Sequence, residues 1–319
     1  MRAQAIWYTG QGSGVEIREG ALGTGELLLQ TVASGLSRGT ERIVAAGLVP
    51  RSEWQRMALP NQEGDFALPI KYGYACVARV IEGPPDIRDR NVYTMHPHQT
   101  FFRANRNAVH VLPPDLPVRR ATLAANMETA LNAIWDAELP PGARVAVIGG
   151  GLVGCLVAYL ARNVAKANVT LVDRIGARAK TASELRVSFT TRAETLSDCH
   201  TVFHTSASES GLSAAIHALA FEGQVIEMSW YGDRQISVPL GGAFHAQRLS
   251  IRCSQVGHVA RSHRSTTSYA DRIRTAIGLL DDTALDVLLT HEVAFENAER
   301  DIPPRIAPDA DGIATAIMY

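Results

Sequence analysis

The chain has 319 residues, a net charge of −1, 46% hydrophobic residues and 20% charged residues. That length suits two domains of ordinary size, and the near-neutral balance excludes the basic excess with which nucleic-acid-binding proteins hold phosphate. With no apolar run long enough for a signal peptide or a membrane span, and with Cys76, Cys155, Cys199 and Cys253 far apart in sequence, the reading is a cytoplasmic protein with reduced thiols and no membrane partner.

The first 110 residues read as β-rich, with short apolar runs at Ala3–Tyr8, Glu26–Ala33, Ala75–Ile81, Asn91–Met95 and Val109–Leu112 between Gly, Pro, Asp and Asn clusters. After the stiff PPDLP at 113–117 the texture changes. Arg119–Glu138 carries apolar residues at helical spacing and stops at Pro140-Pro141-Gly142. A strand is expected at Arg144–Ile148, then a glycine turn, a helix at Leu152–Val164 and a strand at Asn168–Asp173. Further strands are expected at Thr201–His204 and Gln224–Met228, around a helix Leu212–Ala220 capped by Gly223. The tail offers a helix at Tyr269–Leu280 and strands at Glu292–Phe295 and Thr315–Tyr319. The fold class is α/β: alternating strands and helices imply a doubly wound parallel sheet of the Rossmann kind. The expected boundaries are a β-rich domain at 1–124, a Rossmann domain at 125–255 and a return to the first domain at 256–319.

VAVIGGGLVG, residues 145–154, carries the strongest chemical signal. Gly149, Gly151 and Gly154 form G-x-G-x-x-G directly after a buried strand and at the start of a helix. The spacing gives a tight turn, a close approach for a pyrophosphate and close helix–strand packing. Gly150, Leu152 and Val153 complete the turn, and the N–H groups of the helix start face the phosphates. Asp173 ends the next strand, where a carboxylate accepts the adenosine ribose hydroxyls and repels a 2′-phosphate. That favours NAD over NADP, although Arg174 beside it would meet a 2′-phosphate if Asp173 turned away. Later strand ends nominate Thr205, Ser206 and Ser229 as hydroxyls facing the nicotinamide ribose.

The order of the pieces resembles a medium-chain dehydrogenase/reductase, the alcohol and polyol dehydrogenase superfamily. GELLLQTVASGLSRGTE (25–41), YGYACVARVIE (72–82), LPPDLP, METALNAIWDAELPPGARVAVIGGG and LDVLLTHEVAFENAERDI (285–302) carry the resemblance along essentially the whole chain. It implies a GroES-like catalytic domain joined to the Rossmann domain, and a homodimer through the Rossmann sheets. The expected zinc ligands are missing. Ser37 or Arg38 stands at the first cysteine, Tyr74-Ala75 at His-Glu, and Ala125 at a further ligand position. Zinc needs thiolate, imidazole or carboxylate donors, so the expectation is no metal and no zinc. The four-cysteine structural lobe is absent too.

Without the metal, another group must polarise the substrate oxygen. By resemblance, Tyr74 occupies the former His position, and Thr40 matches the family's proton-relaying Ser/Thr beside a more structural Glu41. His96, in His96-Pro97-His98, is the remaining candidate proton donor. The main reading is a zinc-independent NAD(P)(H)-dependent oxidoreductase for a small molecule, transferring hydride to an activated C=C or carbonyl such as an enone or quinone. One alternative is NAD-dependent oxidation of a secondary alcohol on a larger cyclic substrate. It draws on Asp173 and on SGLSRGTE, which resembles the segment of bacteriochlorophyllide dehydrogenases. The other is a dinucleotide-binding redox sensor with little catalysis.

Overall fold

The computed structural model describes residues 2–10 and 14–319. The chain forms two compact units, Met1–Ala125 with Leu289–Tyr319, and Asn126–Leu288.

In the second unit, the strand Arg144–Ile148 is buried at every residue after Arg144. Strands covered on both faces are the mark of a parallel sheet with helices on either side. Ile148 lies opposite Val172 on one side and His204 on the other, both in parallel pairing. The spatial order is Ser188–Thr190, Asn168–Val172, Arg144–Ile148, Cys199–His204, Leu219–Glu227 and Ser250–Cys253. Numbered along the chain this is 3-2-1-4-5-6, the dinucleotide-binding order, and it reverses at the first strand. The helix Leu152–Asn163 packs there, buried from Gly154 to Ala161. Leu156 and Leu160 are fully buried in it, each contributing about 1.5–3 kcal/mol by leaving water.

Two boundaries differ from the sequence reading. The helix expected at Leu212–Ala220 runs from Glu209 to His217, with Ser208 Oγ accepting Gly211 N–H as its cap. The strand then begins at Leu219, which pairs with Cys199, and Gly223 lies inside that strand rather than capping a helix. The apolar run around Leu219 suits a buried strand as well as a helix, and the sheet claims it. The Rossmann unit also extends past 255, to Leu288. The reason is the helix Tyr269–Gly278, closed by a capping box of Ser268 and Asp271. Its buried Arg272 reaches Glu128 at 3.0 Å, Asn132 at 2.8 Å and Val256 O at 2.6 Å. A buried guanidinium must be paired, and these partners tie residues 256–288 to the helix Ala124–Ala137.

The first unit holds a seven-stranded, mostly antiparallel sheet around Leu27–Leu36 and Cys76–Glu82. Leu27, Leu29, Cys76, Ala78, Val80, Val92 and Phe102 fill one core beside it. The last strand, Ala314–Met318, lies antiparallel to Leu27–Leu36, with Thr315 opposite Leu36 and Met318 opposite Ala33. The chain's end therefore returns to the first unit, beginning at Leu289. The SGLSRGTE segment bends from that strand into a short helix, Arg38–Ala45.

Candidate functional site: a dinucleotide turn and a hydroxyl cluster

Gly149 has φ +115°, a conformation costly for any residue with a Cβ. A Cβ on Gly154 would fall 1.8 Å from Gly149 O, so only glycine lets the helix sit this close to the turn. Gly151 has open space where its Cβ would be and is the helix N-cap, with no side chain bonded across the cap. The N–H groups of Leu152 and Val153 follow in the first turn. Together these fit a pyrophosphate approaching the backbone.

Asp173 is fixed toward this turn. Its Oδ2 accepts Gly150 N–H at 2.6 Å and its Oδ1 accepts Ile175 N–H at 2.8 Å. Arg174 beside it is exposed. The three nominated hydroxyls separate by role. Thr205 Oγ1 donates to the carbonyls of Gly149 at 2.9 Å and Ile148 at 3.2 Å, bracing the turn from behind. Ser229 Oγ accepts Ala207 N–H at 3.1 Å. Those two side chains face backbone, and Ser206 is the exposed one.

In the first unit, Tyr74 OH donates to Ser37 Oγ and lies 3.2 Å from Thr40 Oγ1. Tyr74 and Thr40 are half-buried and Ser37 is buried. Burial pushes the Tyr74 phenol up, partly offset by these two hydroxyls. Beneath them, Glu41 is fully buried. Its Oε1 accepts Ser37 N–H at 2.6 Å, and its Oε2 accepts Tyr8 OH and the His98 Nε2 proton, the latter at 3.0 Å. With that proton on Nε2, His98 Nδ1 accepts from Ser34 Oγ at 2.8 Å, and Ser34 Oγ lies 3.0 Å from Tyr319 OH. The sequence reading missed His98. Its spacing from His96 was visible, but the partner it needs, Glu41, is far away along the chain.

His96 is placed differently from its expected role in proton donation. It is buried, stacks on Phe102 with centroids 3.7 Å apart, and its Nδ1 lies 2.9 Å from Pro97 O. Burial lowers its pKa to about 3, so it stays neutral. It belongs to the core beside Phe102, and no hydrogen bond joins it to the hydroxyl cluster. A neutral ring on an aromatic face is a packing element.

No family model matches the sequence. Chicken (Gallus gallus) sorbitol dehydrogenase is 22% identical over 280 residues, 82% of this chain and 73% of that protein. An alcohol dehydrogenase of Escherichia coli CFT073, solved with NADH, superposes with a TM-score of 0.78 at 13% identity, over 100% of this chain and 99% of that one. A dehydrogenase from Sinorhizobium meliloti 1021, assigned as zinc-binding and solved with NADP, gives 0.77 at 15% identity over 100% of both chains. The chain shares the two-domain fold of these dehydrogenases, the fold that its resemblance to the medium-chain dehydrogenase/reductases implies. Its first unit is the GroES-like domain of that fold and its second is the Rossmann domain.

The superfamily's catalytic metal is tested by the donors present. The neutral hydroxyls of Ser37 and Thr40 both lie on the Tyr74 phenol, Ala125 offers no donor atom, and both Glu41 oxygens and both His98 nitrogens are engaged. Among the described residues, no three His, Cys, Asp or Glu side chains converge to hold a metal. Zinc asks for thiolate, imidazole or carboxylate; this set does not fit it.

Proposed function

We propose that this protein is a zinc-independent, NAD(H)-preferring dehydrogenase that interconverts a secondary alcohol and its ketone. The observation that carries it is the Asp173 carboxylate clasped by Gly150 and Ile175 N–H groups at the glycine turn. A carboxylate fixed there accepts ribose hydroxyls and opposes a 2′-phosphate. The alcohol reading is favoured over enone or quinone reduction because the relatives are named as sorbitol and alcohol dehydrogenases. When bound, the nicotinamide supplies or accepts the hydride. The hydroxyl cluster handles the proton. In the reducing direction the Tyr74 phenol, kept protonated by burial, gives its proton to the carbonyl oxygen, and Ser37 and Thr40 orient it. Glu41 holds the backbone N–H of Ser37, and His98 holds Glu41. The fully exposed edge strand Ser250–Cys253 supports a homodimer formed by pairing Rossmann sheets, testable by sedimentation.

The test is fluorescence titration of chelator-treated protein with NADH and NADPH, followed by a panel of secondary alcohols, polyols, cyclic ketones, enones and quinones. Tighter NADH binding and chelator-insensitive turnover of alcohols or ketones are expected. Turnover of enones or quinones alone would replace this reading with double-bond reduction. NADH binding without any turnover would leave a redox sensor.

A further inference from the structure

The carboxyl ends of the Cys199–His204 and Leu219–Glu227 strands carry a polar cluster that the chemistry above does not use. His204 is fully buried. Its Nδ1 lies 2.7 Å from Glu227 Oε2 and its Nε2 lies 2.7 Å from Ser206 Oγ. A carboxylate only accepts, so Nδ1 carries the proton and Nε2 accepts from the Ser206 hydroxyl. Glu227 is held on both oxygens, since Oε1 accepts Ser229 N–H at 2.7 Å and Oε2 lies 3.2 Å from Tyr231 OH. Ser208 Oγ accepts Gly211 N–H and lies 2.8 Å from Ser206 Oγ, to which it gives its own proton. Ser206 oxygen is left with one lone pair, at an exposed position.

Two close approaches show how tightly this is built. A Cβ on Gly211 would come 2.3 Å from Ser206 Oγ and 2.8 Å from His204 Nε2, so glycine makes room for their bond. A Cβ on Gly149 would lie 2.8 Å from Ser206 N, which places Ser206 against the dinucleotide turn. Strand order says which half of the ligand it meets. Asp173 follows the second strand and takes the adenosine ribose, and the turn after the first takes the pyrophosphate. The fourth strand lies on the opposite side of the first, so the nicotinamide half falls there.

We propose that Ser206, His204 and Glu227 form a positioning device, in which buried His204, held by half-buried Glu227, fixes the Ser206 oxygen as acceptor for a ribose hydroxyl on the nicotinamide half. This rests on the dinucleotide reading above. Burying an imidazole at a strand end costs stability unless it is paired; here the pairing of buried His204 runs from half-buried Glu227 to exposed Ser206. His204 acts only through Ser206.

The experiment is titration of the full chain with NADH and, separately, with ADP, which lacks the nicotinamide half. Wild type, Ser206→Ala, His204→Leu and the double variant are compared. Ser206→Ala, a change at an exposed side chain, is expected to weaken NADH about three- to tenfold, the worth of one hydrogen bond, and to leave ADP unchanged. His204→Leu is expected to do the same, with no further loss in the double variant. Unchanged NADH affinity in Ser206→Ala, equal weakening of NADH and ADP in that variant, or additive losses in the double variant would each overturn the device. Wild type binding neither ligand would overturn the dinucleotide reading itself, and is seen before any variant is made.

Discussion

Replacing Glu41 tests whether the hydroxyl cluster stands on a buried scaffold. Glu41 is fully buried and accepts three donors: Ser37 N–H, Tyr8 OH and the His98 Nε2 proton. Glu41→Ala leaves all three without their acceptor, each at about 1–3 kcal/mol. Water entering the cavity recovers part of this, so a net loss of about 3–5 kcal/mol is expected, the range for breaking a buried charged contact. Glu41→Gln should behave otherwise. Its carbonyl oxygen still accepts Ser37 N–H, and its NH2 group needs acceptors where Oε2 stood. Tyr8 supplies its hydroxyl oxygen. His98 supplies Nε2 once its proton moves to Nδ1, and Ser34 then accepts that proton's bond. Only the Tyr8 proton is then left without an acceptor, so the loss in Glu41→Gln is expected at about 1–3 kcal/mol, smaller than in Glu41→Ala. Urea unfolding followed by fluorescence and circular dichroism measures both values. Equal destabilisation by the two changes would refute the network argument, as would a Glu41→Ala cost under about 1 kcal/mol.

Other consequences can be measured on the same protein. Tyr74→Phe removes only the phenolic oxygen, so stability should fall by about 0.5–1.5 kcal/mol while kcat drops about 10²–10⁴-fold. A kcat within tenfold of wild type would take proton donation away from Tyr74. On the proposed reading Asp173 faces the 2′ position, so Asp173→Asn should shift the NADPH-to-NADH affinity ratio toward NADPH by about tenfold or more; an unchanged ratio in titrations would show that Asp173 does not face that group. Glu227 gives an acid-stability signature. Burial pushes its carboxyl up, but His204 and Ser229 more than offset this and hold it below the ordinary 4.5. A depressed folded-state pKa contributes stability that is present above the unfolded value and is lost as pH falls through the folded one. Wild type should therefore lose stability below about pH 4.5 more steeply than Glu227→Gln. Parallel slopes in chemical denaturation across that window would contradict the assignment.

The sequence by itself determined the elements whose signal is local. Arg144–Ile148, the glycine turn and the helix start at Leu152 were legible because a buried parallel strand, a G-x-G-x-x-G turn and a helix N-terminus each need particular residues within a few positions of one another. Asp173 was legible for the same reason. The resemblance brought Tyr74 and Thr40 to notice, and folding joined Tyr74 to both Thr40 and Ser37. Tertiary structure alone decided the rest. Leu219 reads as the end of a helix until the sheet pairs it with Cys199, and residues 256–288 read as a return segment until Arg272 finds Glu128. Histidines show the limit most plainly. His96 and His98 are two residues apart with similar neighbours, yet one ring stacks on Phe102 and the other bonds Glu41. Nothing near His204 in the sequence marks it out; Glu227 and Ser206 close on it only in the fold. A side chain's chemistry depends on its partners, and partners distant along the chain meet only when the fold brings them together.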